Sequence, residues 1–260
     1  MKITFLGTGT SHGVPVIGCD CDVCTSVNPK NRRFRTSALL ENPDGPNLLI
    51  DASVDFRQQA LRAKICTLTD ILITHEHADH IFGLDDTRIF THHNEGVNVY
   101  LDARCDKRLR QVYDYVYGAA IQEGGGLPKF NNILIEAGNT FQAKTFTITS
   151  FTITPIPIFH GKLPILGFRV NNLAYLTDCS HIPETSFAYL NDLDLLVLGA
   201  LRPKPHPTHF SLSQAVEAAH RIGARQTYFT HITHRLEHDA TNAALPPGMQ
   251  LAHDGLVVEV

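Results

Sequence analysis

The stretch Ile71-Leu72-Ile73-Thr74-His75-Glu76-His77-Ala78-Asp79-His80 begins with a short apolar run. Three histidines and one aspartate follow that run. The apolar run is typical of a buried strand, after which the chain must turn. Because strand side chains alternate, His75 and His77 project to the same side. Asp79 and His80 lie in the first turn of the next element, from which their side chains can point back toward His75 and His77. Imidazole and carboxylate together suit zinc, manganese or iron(II), and four such groups suffice for two adjacent ions if other segments complete the coordination.

The composition is that of a globular protein with one core. The chain has 260 residues, 43% hydrophobic and 18% charged, with a net charge of −4. We therefore expect residues 1–260 to form a single domain. The mild charge does not indicate a nucleic-acid or membrane partner. The first residues are expected to form a strand rather than a secretory signal, and no apolar run approaches the length of a membrane span, which favours a cytoplasmic protein.

The six cysteines are not spaced like a disulfide framework. Cys19, Cys21 and Cys24 form a C-x-C-x2-C cluster, and the other three are isolated. Three thiolates this close can hold one zinc ion, but tetrahedral coordination needs a fourth ligand. The alternative is a set of reduced cysteines without metal.

Hydrophobic periodicity predicts the order of elements along the chain. Strands are predicted at Ile3–Leu6, Ala38–Leu40, Asn47–Ile50, Val97–Leu101, Gly167–Val170, Leu173–Leu176, Leu193–Leu198 and Gln226–Phe229, and helices at Val54–Ala63, Ile81–Phe90, Arg104–Tyr117 and from Ser211 to about Ile222. The order is thus strands, the histidine-rich loop, helices, and a second set of strands and helices.

The segment His75–His80 matches the H-x-H-x-D-H signature of the metallo-β-lactamase superfamily. The chain resembles that superfamily over nearly its whole length. The resemblance implies an αββα sandwich, in which two mixed β-sheets lie face to face between outer helices. It places the metal ions at one edge of the two sheets.

The resemblance also implies a complete set of metal ligands. One metal takes His75, His77 and His160, the other takes Asp79, His80 and His231, and Asp178 bridges the two. Taken without the resemblance, His160 is an isolated histidine at a strand end and Asp178 a cap of the following helix. Asp51 is expected to support the metal-binding loop from behind the ligands. A hydroxide held between two metals is the expected nucleophile.

Within the superfamily, the cysteine cluster resembles that of the PhnP-type branch. That branch holds a structural zinc with three N-terminal cysteines and one late histidine. Here the corresponding residues are Cys19, Cys21, Cys24 and His234. Such a zinc clip would join residues 19–24 to residue 234 and brace the nearby ligand His231.

The predicted catalytic residues are His209 and Asp79, the latter also a metal ligand. The resemblance places His209 where related enzymes carry the histidine that protonates the leaving alkoxide. His206 is the competing candidate, although it lies between two prolines. Arg202 and Lys204 either bind phosphate or ribose hydroxyls or are simply solvated.

Three loops have two interpretations each. In Gly7–Gly13, His12 is either an ordinary loop residue or a substrate contact. The basic run Asn31–Arg35 is either a solvated loop or a means of attracting an anionic substrate. The glycine-rich segment 118–132 is either a mobile lid or a plain loop.

The resulting prediction is a metal-dependent phosphodiesterase that acts on a small, cyclic ribose or nucleotide phosphodiester. Its expected cofactors are two divalent ions (zinc or manganese, with nickel and iron as further candidates) and one structural zinc. No membrane or large nucleic-acid partner is expected, and the family suggests a homodimer. The alternatives are a tRNase Z-like ribonuclease, a thioester or lactone hydrolase, and a non-catalytic metal-binding accessory protein. A ribonuclease would need an RNA-gripping arm, and no long basic, Gly/Pro-rich insertion is present.

Overall fold

The computed structural model describes residues 1–42, 45, 47–91, 96–118, 126–142 and 151–260. Its strands are β1 (Lys2–Gly7), β2 (Ser37–Glu41), β3 (Asn47–Ile50), β4 (Asp70–Leu72), β5 (Val97–Leu101), β6 (Phe130–Leu134), β7 (Phe141–Gln142), β8 (Thr152–His160), β9 (Leu163–Val170), β10 (Leu173–Leu176), β11 (Leu195–Gly199), β12 (Gln226–Thr230), β13 (Met249–Leu251) and β14 (Val257–Glu259). Its α-helices are α1 (Phe56–Ala63), α2 (Ala78–Ile81), α3 (Arg88–Thr91), α4 (Ala103–Val112), α5 (Asp114–Tyr117), α6 (Leu212–Ile222) and α7 (His238–Ala244).

The strands form two mixed sheets. The first has the order β14-β1-β2-β3-β4-β5-β6 and the second the order β13-β12-β11-β10-β9-β8-β7. Neighbouring strands run parallel from β3 to β6 and from β10 to β13. The remaining pairs are antiparallel, including the β2–β3 and β8–β9 pairs.

Alternation along the strands divides the apolar residues among three layers. In β3, Leu48 and Ile50 pack with Phe168 in the cluster between the two sheets. Leu49, between them, packs instead with Phe56 in the cluster beneath α1 and α4. A third cluster joins the outer face of the second sheet to α6. Two face-to-face sheets with helices outside confirm the predicted αββα sandwich.

Most predicted strands are found within a residue or two of their expected bounds. The β2–β3 and β9–β10 pairs are antiparallel hairpins, and the predicted start of α6 is confirmed. There Ser211 accepts a hydrogen bond from the backbone N–H of Gln214, whose side chain accepts one from the backbone of Ser211 in return, which is a capping box. The periodicity did not reveal β6, β7, β13, β14 or α7.

The helix predicted at Val54–Ala63 begins two residues later, at Phe56. Val54 and Leu61 are 42% and 61% exposed, whereas Phe56 and Gln59 are buried. Gln59 is buried because its side chain donates to the carbonyl of Arg35 and accepts from the Ser53 hydroxyl. A polar residue with two internal partners thus takes a position that hydrophobicity alone assigns to an apolar one.

The continuous helices predicted at Ile81–Phe90 and Arg104–Tyr117 are interrupted. The first is divided into a 3-10 turn (Leu84–Thr87) and α3. The His80 and Ile81 carbonyls accept from the Ala52 backbone and the Tyr113 hydroxyl, instead of from the next helical turn. The second divides into α4 and α5 at Tyr113, whose φ of −110° and ψ of 44° are not helical. In the first case tertiary contacts override a local pattern.

The described part of the chain contains no helix that is both long enough and apolar enough to cross a bilayer. Residues 119–125, which lie within the segment 118–132 considered as a lid or a loop, are outside the described residues.

The topology gathers five chain segments at one edge of the sandwich. The segments after β4, β10, β11 and β12 leave the carboxyl ends of parallel strands, and β8 ends there at His160. The backbone N–H of Leu166 in the second sheet donates to the carbonyl of Thr74, after the first sheet's β4, at 3.0 Å. This bond ties the two sheets together beside the histidine-rich loop.

Candidate binuclear metal centre

The histidine-rich loop has the predicted conformation. β4 ends at Leu72, His77 precedes α2 in an extended conformation, and Asp79 and His80 lie in the single turn of α2. The loop therefore presents side chains from both an extended segment and a helical turn toward one point.

All seven predicted metal ligands converge at the sheet edge. Their ligand atoms form overlapping groups within 4.8 Å, consisting of His75, His77 and His160, of Asp79, His80 and His231, and of His75, His80 and Asp178. The closest pair is His75 Nε2 and His77 Nδ1, 3.0 Å apart. Two nitrogens on one tetrahedral zinc lie about 3.3 Å apart, so this spacing fits a shared cation.

Asp178 lies between the two groups of ligands. Its Oδ2 is 3.2 Å from His80 Nε2 and its Oδ1 is 3.2 Å from His231 Nε2, both in the group with Asp79. Its carboxylate also lies within 4.8 Å of the ligand atoms of His75 and His160, which belong to the other group. Burial raises the pKa of Asp178, but His231 and His80 outweigh that effect and hold the pKa well below its usual range. The residue is therefore a buried carboxylate ion, placed where it can touch cations on both sides.

Asp51 holds the loop from behind, as expected. Its Oδ1 accepts from the backbone N–H of Thr74 at 2.9 Å, and its Oδ2 accepts from the Thr74 hydroxyl at 2.8 Å. The same Oδ2 lies 2.7 Å from His80 Nδ1. Because a carboxylate only accepts, His80 Nδ1 is the protonated nitrogen and Nε2 is left to face the site.

Two further histidines have their ring orientation fixed in the same way. His160 Nδ1 lies 2.7 Å from the carbonyl oxygen of Thr208, which can only accept. His75 Nδ1 lies 3.0 Å from the Thr74 hydroxyl, whose own proton is donated to Asp51. Both rings therefore present Nε2 to the site. Sequence reasoning missed Thr74 and Thr208, although each adjoins a predicted site residue.

Several buried nitrogens lack hydrogen-bond partners within the described residues. Three of them belong to the predicted ligands: His80 Nε2 and both ring nitrogens of His231. A buried polar atom without a partner costs about 1–3 kcal/mol, so these atoms need an explanation. The surrounding donors are imidazoles and carboxylates, which are common ligands of divalent ions. The residues present thus fit the metal ions that the sequence implied.

Three of the site residues have strained backbones. Asp51, Asp178 and His231 have φ values of 59°, 52° and 59°, in the left-handed region that residues with a side chain rarely adopt. Such strain persists where the surroundings impose it, and it concentrates at functional sites. This strain supports a functional reason for the backbone conformations of these three residues.

His209 lies against the predicted ligands. Its Nδ1 is 3.6 Å from Asp178 Oδ1, and its ring centroid is 4.5 Å from that of His160 and 4.8 Å from that of His231. Burial, and then the neighbouring His231, lower the pKa of His209 to about 3. The imidazole is therefore neutral at pH 7 before a negatively charged group binds.

His206 also reaches this region, and its ring centroid is 5.3 Å from that of His209. The Arg202 guanidinium donates to the carbonyls of Lys204 and Pro205 in the same loop. Lys204 is exposed. Neither of these two bonds decides between phosphate binding and solvation for Arg202.

The basic run has a structural role that the sequence did not indicate. Arg33 is only 3% exposed and donates to the Thr8 hydroxyl and to the Ala252 carbonyl. Arg35 pairs with both carboxylate oxygens of Asp55, at 3.0 and 3.2 Å. For Arg33 the interpretation as a solvated residue was wrong, whereas the Arg35 side chain is 29% exposed and thus partly solvated.

The four residues of the predicted zinc clip surround one point. Sγ atoms of Cys19, Cys21 and Cys24 lie 3.2, 3.4 and 3.3 Å from the same atom, Nδ1 of His234. One imidazole N–H cannot satisfy three sulfurs, whereas sulfur and nitrogen on one tetrahedral zinc lie about 3.6 Å apart. The exposed His12 lies beside this cluster, with its ring centroid 6.3 Å from that of His234.

Replacing Cys21 with serine is expected to remove about one zinc ion per chain and to lower the midpoint of thermal unfolding, because metal-binding free energy adds to folding free energy. The catalytic groups are expected to remain in place. Zinc content by mass spectrometry of the metal and a thermal melt test this. The control is Cys66→Ser, since Cys66 is exposed and outside the cluster. Unchanged zinc content in Cys21→Ser would contradict the clip.

Comparison with known proteins agrees with this geometry. Residues 46–232 match the family model of the β-lactamase superfamily domain. A solved structure of a new diphosphatase from the PhnP family is 42% identical, with a TM-score of 0.90, and the match covers 99% of this chain and 96% of that one. The chain belongs to the metallo-β-lactamase superfamily and, within it, to the PhnP-type branch. Membership, together with the His/Asp clusters, supports a metal-dependent hydrolase.

Two other relatives extend the comparison. An octanoyltransferase of Porphyromonas gingivalis is 37% identical over 98% of this chain, but the chain spans only 51% of that relative's length. The Zn²⁺-bound PqqB from Methylobacterium extorquens is 20% identical with a TM-score of 0.78, and the match covers 100% of both chains. At that identity the second relative shows the shared fold alone.

Proposed function

We propose that the protein is a phosphodiesterase that hydrolyses small, cyclic ribose or nucleotide phosphodiesters at two divalent metal ions. His75, His77 and His160 would hold one ion, Asp79, His80 and His231 the other, and Asp178 both. The observation that carries the proposal is Asp178, a buried carboxylate that lies 3.2 Å from His80 and His231 of one ligand group and within 4.8 Å of His75 and His160 of the other. When bound, two such ions activate water as a nucleophile at neutral pH and neutralise the charge of a phosphoryl group.

The chain's own residues supply orientation and proton transfer. Asp51 and the Thr208 carbonyl fix the imidazole rings of His80 and His160, so that the ligands are arranged before substrate arrives. His209 would protonate the departing alkoxide. Because the pKa of His209 is lowered to about 3, this role requires the negative charge of the bound diester to favour the imidazolium form.

A second candidate is cleavage of a diphosphate, favoured by the 42% identity to a diphosphatase of the PhnP family. The same metal centre would serve both reactions, since each displaces an oxygen from phosphorus. Hydrolysis of a thioester remains a further alternative, because a relative is named an octanoyltransferase. This chain matches only about half of the protein that carries that name. The name is therefore weaker support for acyl chemistry here than the diphosphatase is for phosphoryl chemistry.

The test is a substrate panel with the manganese-loaded and the zinc-loaded protein. The panel contains bis-p-nitrophenyl phosphate, 2′,3′-cyclic nucleotides, a nucleoside diphosphate, a precursor tRNA and an octanoyl thioester. Metal content is counted on the same samples. About three ions per chain are expected if the binuclear centre holds two and the zinc clip holds one. We expect turnover of the small diesters without tRNA processing. If the fully loaded protein cleaved only the diphosphate or only the thioester, the diesterase proposal would be wrong.

A further inference from the structure

The loop between β11 and α6 is fixed at both ends and in its middle. The backbone N–H of Phe210 donates to the Cys179 carbonyl at 2.7 Å, next to Asp178. The Thr208 carbonyl accepts from His160, and Arg202 donates to two carbonyls of the loop itself. His206 therefore belongs to a rigid wall of the site, further restrained by the prolines on either side of it.

The ring of His206 has a defined hydrogen-bonding pattern. Its Nδ1 lies 3.4 Å from the backbone nitrogen of Thr208 and 3.2 Å from the hydroxyl of the same residue. A backbone N–H can only donate, so Nδ1 is the acceptor and the proton of the neutral ring resides on Nε2. Within the described residues no hydrogen bond to that Nε2 is found. The ring thus has a donor on the edge that faces away from Thr208.

The position of this donor matters because of its neighbours. The ring of His206 lies 5.3 Å from that of His209, which in turn touches the rings of His160 and His231. His206 is partly exposed, whereas His209 is mostly buried. A group bound at the metal centre and extending toward solvent beside His209 would come within reach of His206.

We infer that His206 is a substrate-binding residue whose Nε2–H donates a hydrogen bond to a non-bridging oxygen of the phosphoryl group. The inference rests on the proposed function for the identity of the substrate. His206 and His209 then have different tasks on the same loop. His206 binds the phosphoryl group as a neutral donor, and His209 transfers a proton to the leaving oxygen.

Three variants of His206 separate this role from a structural one. Glutamine places an N–H donor near the position of Nε2, whereas asparagine places its amide near Nδ1 and alanine removes both. The main measurement is the Kd of inorganic phosphate for the metal-loaded protein by calorimetry, which requires no turnover. His206→Ala and His206→Asn are expected to weaken phosphate binding roughly tenfold or more, the loss typical of a hydrogen bond to a charged group. His206→Gln is expected to recover most of that affinity.

Metal content, circular dichroism and the KM for bis-p-nitrophenyl phosphate accompany each Kd. His220→Gln is the control, because His220 is exposed on α6. Unchanged phosphate affinity in His206→Ala would overturn the inference, as would equal losses in the glutamine and asparagine variants, a loss of metal or an absence of phosphate binding by the wild type. If the wild type binds phosphate through His206 but cleaves no diester, the proposed function fails and the inference stands.

Discussion

Replacing Asp178 with alanine is expected to disrupt the metal centre and to reduce hydrolysis of the small diesters by roughly 1,000-fold or more, which corresponds to ~4 kcal/mol of transition-state stabilisation. The physical reason is that, among the described residues, Asp178 supplies the carboxylate that lies 3.2 Å from His80 and His231 of one ligand group and within 4.8 Å of His75 and His160 of the other. Without it, two cations would face each other with less compensating charge. We expect the variant to lose one or both site ions and to keep the structural zinc.

Asp178→Ala is tested by metal content per chain and by kcat/KM on the same sample. Asp70→Asn is a suitable control, because Asp70 is also a buried carboxylate but is hydrogen-bonded to Asn98 and Tyr100 inside the first sheet. The control is expected to keep its site metals. Full occupancy of two site metals in Asp178→Ala would show that Asp178 does not bridge them.

Replacing His209 with alanine is expected to leave the site metals bound and to slow diester cleavage by roughly 100-fold, within the range of general acid catalysis. A general acid must be protonated to act, so the wild-type kcat should fall as the pH rises through the pKa of His209 in the substrate complex. The free enzyme has this pKa lowered to about 3, and the bound anion is expected to raise it. His209→Ala should therefore lose the alkaline limb of the pH profile of kcat.

The metal content of His209→Ala is as informative as its rate. His209 also lies with His160 and Asp178 in a group whose ligand atoms are within 4.8 Å of one another, so a role as a metal ligand is the structural alternative. Loss of a site metal would favour that alternative over proton transfer. An unchanged rate with both metals retained would remove His209 from the mechanism. His220→Ala, on the exposed face of α6, controls for the loss of a histidine elsewhere.

The local sequence determined the first half of the metal site. Four ligands lie within six residues after β4, and the alternation of a strand followed by one helical turn is enough to bring them together. The αββα sandwich was implied by the family resemblance, and the alternation of Leu48, Leu49 and Ile50 between two apolar layers agrees with it. Family resemblance, rather than local pattern, supplied His160, Asp178 and His231.

Only the tertiary structure decided how the ligand rings are oriented and what the nearby polar residues do. The carbonyl that fixes His160 belongs to Thr208, 48 residues away, and the carboxylate that fixes His80 is Asp51, 29 residues away. The sequence alone predicts that Arg33 is a surface cation, yet it is buried against Thr8 and residues near the C-terminus. Hydrophobic periodicity predicts which side of an element is buried. It does not predict which distant donor or acceptor bonds to a polar side chain on that side, because the partner depends on how the two sheets pack.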